Sequence, residues 1–94
     1  MITAKHLVME RKHPISSGVQ RVYRFKSGYG LSVVNSPMLH SYPFAWEIAV
    51  LKDVSEDGLS FDLTYDTELT SDVEVFPNDD EANAFIEKAA LALG

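Results

Sequence analysis

Val19–Val34, VQRVYRFKSGYGLSVV, decides the fold. Val19, Arg21, Tyr23 and Phe25 alternate with Gln20, Val22, Arg24 and Lys26, the two-residue period of a half-buried strand rich in β-formers. Ser27-Gly28-Tyr29-Gly30 is a tight connection, and Leu31-Ser32-Val33-Val34 resumes strand chemistry behind it. The stretch predicts a hairpin.

Downstream, Ala45–Lys52 (AWEIAVLK) sets Trp46, Ile48 and Val50 on one face and Ala49 and Leu51 on the other, the pattern of a mid-sheet strand. Asp53–Gly58 is a turn, and Leu59–Asp66 (LSFDLTYD) alternates so strictly that it predicts the clearest strand of the chain, one face core and one face water. Upstream, residues 2 to 11 (ITAKHLVMER) suit a strand, with a short helix as the alternative, and His13-Pro14-Ile15-Ser16-Ser17-Gly18 is a loop. Thr67–Phe76 fits neither period. Pro77-Asn78-Asp79-Asp80-Glu81 then supplies an Asn N-cap, a Glu three residues on, and acids where the helix dipole favours them, so a helix starts near Asp79. Ala82, Phe85, Ile86, Ala89 and Leu93 form its apolar stripe. Strands followed by one helix predict a single α+β domain over residues 1–94: an antiparallel sheet of about five strands, a β-meander, with the C-terminal helix packed on one face.

Composition excludes several function classes. The 94 residues contain no cysteine, which removes disulfides, thiolate metal sites and cysteine nucleophiles. No apolar run has signal-peptide or membrane-span length, so the expectation is a soluble cytoplasmic protein without a membrane partner. The net charge of −6 is uneven: residues 1 to 26 hold six of the eight basic residues, whereas Asp53 to Glu87 holds twelve acids and no Lys or Arg. Most of these charges are expected on solvated surface; the competing reading is an acidic face of Asp53, Glu56, Asp57, Asp62 and Asp66 presented to a basic partner.

No catalytic constellation emerges, and no cofactor or metal is expected. His6, His13 and His40 share no ligand spacing. Asp53–Gly58 imitates the start of a calcium loop, but Thr64 stands where its twelfth position needs a bidentate Glu. Gly28-Tyr29-Gly30 joins two strands instead of opening a helix, so it is no phosphate cradle. It is similar to the centre of an RNA-recognition signature, yet Ser27 stands where the basic residue belongs and Leu31 and Val34 stand where stacking residues belong. Arg21, Tyr23, Arg24, Phe25, Lys26 and Tyr29 interleave bases with aromatics, but Tyr23 and Phe25 share the core face and the net charge is acidic, which argues against nucleic acid. A small ligand site around His40, Tyr42 and Trp46 is the weakest reading.

The least ordinary segment is Ser36–Phe44. Its Pro37 and Pro43 exclude a regular interior strand, and its Met38, Leu39, Tyr42 and Phe44 are costly to expose without purpose. Folding over a sheet edge as a satellite core is the plainer expectation; a protein-contact surface of Met38, Leu39, Tyr42 and Phe44 is the sharper one.

Three blocks carry a resemblance: Phe25-Lys26-Ser27-Gly28-Tyr29-Gly30-Leu31-Ser32-Val33-Val34, Trp46-Glu47-Ile48-Ala49-Val50-Leu51, and Tyr65-Asp66-Thr67-Glu68-Leu69-Thr70-Ser71-Asp72-Val73. In this order they resemble a group of short phage and prophage proteins with F-x-x-G-Y-G-x-S-V-V, W-E-[LI]-A-V-[LI] and Y-[DE]-T-x-[LI]-T-x-D-V motifs. The chain departs from that group at Ser36–Phe44, where the group tends to a Tyr-Gly-Gly stretch. The resemblance implies a phage origin and brings no site residues. The expected function is a non-enzymatic phage accessory protein that binds a host or phage protein in the infected cell, a form of host takeover. The alternative is an acidic mimic of nucleic acid that inhibits a DNA-binding host enzyme. A homodimer joined edge to edge would be one way to manage the sheet's free edges.

Overall fold

In the computed structural model, residues 1–14, 17–40, 42–64 and 73–94 are described. Among the described residues six strands form one antiparallel sheet: β1 (Leu7–Lys12), β2 (Val19–Arg24), β3 (Gly30–Asn35), β4 (Trp46–Lys52), β5 (Asp62–Leu63) and β6 (Glu74–Phe76), followed by α1 (Asp79–Leu93). The order is β1-β2-β3-β4-β5, with β6 also paired to β4. This is the α+β meander with one C-terminal helix that the alternation and the helix cap predict.

The hairpin at Ser27–Gly30 forms in register, with Tyr23 opposite Leu31 and Arg21 opposite Val33. Gly28 takes a φ of +92°, a left-handed conformation that favours glycine. Tyr23, Phe25, Leu31, Val33, Ile48 and Val50 bury one face of the sheet against Ala82, Phe85, Ile86 and Ala89 of α1. Each fully covered side chain of this size contributes roughly 1.5–3 kcal/mol. The helix begins where the sequence places it: the Asn78 Oδ1 accepts the Glu81 amide at 2.9 Å, with Asp79, Asp80 and Glu81 in the first turn. Its far end is tied to the hairpin by the Ser27 hydroxyl, which donates to the Leu93 carbonyl.

The opposite face carries a smaller cluster of Val22, Leu51 and Val54, with Val8, Met9 and Phe61 against it. Beside it, Arg11 Nε donates to Gln20 Oε1 at 2.9 Å and Gln20 Nε2 donates to Ser32 Oγ at 3.0 Å, which satisfies the buried Gln20 amide.

Two expectations are corrected. Over Leu59–Thr64, the described part of that stretch, no long strand forms: among the described residues Asp62–Leu63 is paired, and Leu59 (61% exposed) and Leu63 lie in solvent. The reason is that residues 55–60 close into a turn, with Asp57 Oδ1 accepting the Leu59 amide, and Gly58 packs onto Val8 and Met9 as a lid on the second cluster. Tyr65 and Asp66 lie outside the described residues. At the N-terminus, the strand covers Leu7–Lys12 rather than residues 2 to 11; Ile2 is instead folded into the core under α1, and His6 takes a φ of 71°. The cap that the third sequence block suggests at Thr70 or Ser71 also lies outside the described residues.

Candidate functional site

The segment between β3 and β4 is built as a short, cross-tied projection. The Ser36 hydroxyl accepts the Met38 amide at 3.1 Å, the Ser36 carbonyl accepts the Leu39 amide at 3.0 Å, and the Leu39 carbonyl accepts the Tyr42 amide at 3.1 Å, giving two successive turns. The Tyr42-Pro43 peptide bond is cis. At the neck, the Asn35 side-chain amide donates to the Pro43 carbonyl at 2.9 Å and to the Ala45 carbonyl at 3.0 Å. One side chain therefore clasps both ends of the segment.

What the segment shows to solvent is mostly apolar, with His40 exposed among it. Met38 is 85% exposed, Phe44 68% and Tyr42 46%, with Pro37 and Pro43 exposed beside them and Leu39 half-buried. The satellite-core expectation is thus corrected: among the described residues of the segment Ser36 is buried and Leu39 half-buried, and the other side chains face solvent. From Asn35 to Trp46 the sequence holds no Asp, Glu, Lys or Arg. Large apolar and aromatic side chains exposed together without charge are what the centres of protein interfaces present.

Beside the projection, a cleft of about 650 Å³ opens between the end of the sheet and the start of α1. Pro43, Phe44, Trp46 and Val19 line it on the sheet side, Asn78, Asp79 and Asp80 on the helix side, with Arg21 and Glu10 also on its walls. The Trp46 indole N–H donates to Asp79 Oδ1 at 2.7 Å, which fixes the ring's orientation. That hydrogen bond is the first cause holding the Asp79 carboxyl below the usual carboxylate range; its partial burial opposes it, and the Met1 amine, 3.2 Å from Oδ2, adds to it. Arg21 projects from the core face of β2, 3.2 Å from the Glu10 carboxylate through Nη1, while its Nε is buried and has no acceptor among the described residues.

The acidic residues are not gathered into one site. Asp53, Glu56, Asp57 and Asp62 are exposed. Asp57 is turned into its own loop: the Ser55 hydroxyl, 2.7 Å away, and the Leu59 amide hold its carboxyl below the usual range. Asp62 stands opposite Lys52 in the β4–β5 register, and Asp66 lies outside the described residues. Among the described residues no three His, Asp or Glu side chains could hold a metal ion. Tyr23 and Phe25 are fully buried, which leaves Tyr29 as the exposed aromatic of the basic hairpin. Trp46 lines the cleft, but Tyr42 and His40 do not, so the ligand site expected around these three is not assembled.

The sequence reading missed Arg21, Asn35, Asp79 and Asp80 as parts of this region. A charge in the core-facing alternation of Val19, Arg21, Tyr23 and Phe25 was the available signal for Arg21. No helix among the described residues is long and apolar enough to cross a membrane. No family model, curated protein or solved structure matches the chain.

Proposed function

We propose that the protein acts by binding another protein through the Ser36–Phe44 projection, without catalysis, as a phage accessory protein in the cytoplasm of the infected cell. The observation that carries this reading is the combination of exposure and restraint: Met38, Tyr42 and Phe44 face solvent while Asn35 ties the segment at its neck. A preorganised apolar surface loses little conformational entropy on binding, so its burial counts towards affinity. The phage setting is supported by the three sequence blocks and by nothing in the geometry. Nucleic-acid mimicry draws less support, since Asp57 is engaged within its own loop and Asp62 faces Lys52.

The test is affinity capture of the tagged protein from host lysate at low and high salt, with the Met38→Ala, Leu39→Ala and Phe44→Ala triple variant in parallel. A partner retained at high salt and lost with the triple variant supports the projection. A partner that survives the triple variant overturns it, and one that is lost with salt alone supports mimicry.

A further inference from the structure

The segment ahead of β1 lies outside the sheet, yet it is anchored. Ile2 is 7% exposed and belongs to the core cluster that α1 closes. On either side of it the Asn83 side-chain amide holds the backbone, donating to the Met1 carbonyl at 2.8 Å and accepting the Thr3 amide at 2.8 Å. The Tyr23 hydroxyl donates to the Thr3 carbonyl, and the Met1 amine stands 3.2 Å from Asp79 Oδ2. Main-chain hydrogen bonds on both sides of one buried apolar side chain are how an extended peptide is gripped. The site is therefore a peptide site that the chain fills with its own first residues.

These anchors stand on α1 and β2, and none of them on β1, into which the arm runs. The link to β1 is Ala4–His6, all three residues exposed, closed by the Leu7 amide on the Ala4 carbonyl at 3.1 Å. His6 takes a φ of 71°, the left-handed region that is costly for a residue with a Cβ. A well-anchored arm thus hangs on a short, strained hinge. Such hinges invite exchange of an identical element between copies, because the exchanged arm keeps every anchor while the hinge relaxes.

We propose that the protein forms a two-fold dimer by exchanging this arm. Ile2 of each copy fills the core position of the other, and Asn83 of each grips the Met1 and Thr3 backbone of the other. The occupant is a second copy because the residues that fit the site are those of this chain. The exchange is independent of the protein-binding reading of the projection, and it leaves the free edge of β1 unpaired.

The test uses the full chain, unfolded in urea and refolded at rising concentration. Size-exclusion chromatography with light scattering should show a species of dimer mass whose share grows with concentration. When isotope-labelled and unlabelled chains are refolded together, filtered NOEs should run from the Ile2 methyls of one copy to the core of the other. Inserting Gly-Gly between Lys5 and His6 keeps every anchor and the contact of the His6 ring with Phe25. It should raise the dimer Kd about tenfold or more, since both hinges lose their strain. A chain that stays monomeric at every concentration overturns the proposal. So does a dimer whose Ile2 contacts all lie within one chain, which is pairing through another surface, or a dimer that the insertion leaves unchanged.

Discussion

Replacing Asn35 by Ala leaves the proposed contact residues Met38, Leu39, Tyr42 and Phe44 in place, yet it should weaken both the fold and binding. Its amide makes two hydrogen bonds, to the Pro43 and Ala45 carbonyls, one at an exposed position and one partly buried. Each such bond contributes about 0.5–1.5 kcal/mol, and the exposed carbonyl can exchange its lost donor for water. The expected net cost is therefore about 1–2 kcal/mol in urea unfolding, and a Tm lower by roughly 5–12 °C for a domain of this size. The loss should also be local: the Leu39 and Tyr42 amides, which close the two turns, should exchange with solvent hydrogen faster while the β2–β3 ladder stays protected. Partner affinity should fall because the freed segment must be ordered on binding, at about 0.5–1.5 kcal/mol per side chain immobilised. An Asn35→Ala variant with unchanged stability and unchanged exchange at Leu39 and Tyr42 would show that the clasp restrains nothing, and the preorganisation argument would fall with it.

Other outcomes follow from the same geometry. Asn78→Ala should cost about 1 kcal/mol by thermal unfolding, and Asn78→Gly only a few tenths, because the cap's oxygen and its extended backbone are what α1 uses. Ile48→Ala, which empties a buried position under α1, should cost about 2–5 kcal/mol by urea unfolding. The folded-state pKa of Asp79 is depressed, so its contribution to stability is present above the unfolded-state value and is lost as pH falls through the folded-state value. Acid titration of Trp46 emission should therefore show a transition below the usual carboxylate range, absent in Asp79→Asn.

The parts of the fold that were legible in the sequence are those fixed by local chemistry. The β2–β3 hairpin follows from its alternation and from glycine at a positive φ, and α1 follows from Asn78, the acidic first turn and the stripe from Ala82 to Ala89. Leu59–Asp66 misled because alternation reports that two faces differ and not what lies against either. There the chain covers Val8, Met9 and Val22 with Gly58 and leaves Leu59 in water. Ile2 was unreadable for the converse reason: one apolar residue has no period, and only the packing of α1 brings it to the core. In the candidate site, Met38, Leu39, Tyr42 and Phe44 were legible as apolar residues between prolines, but their exposure was not. Asn35 and Asp79 act on Ala45 and Trp46 across a loop and across the sheet–helix interface, a distance that no local pattern records.

The most direct test of the central claim compares two positions of nearly equal exposure, Met38 at 85% and Leu91 at 90%, each replaced by a photocrosslinking residue in host cells. The account predicts a discrete crosslinked partner from position 38, reduced by Asn35→Ala, and none from position 91 on the helix. A partner crosslinked from position 91 with nothing from position 38 would contradict it.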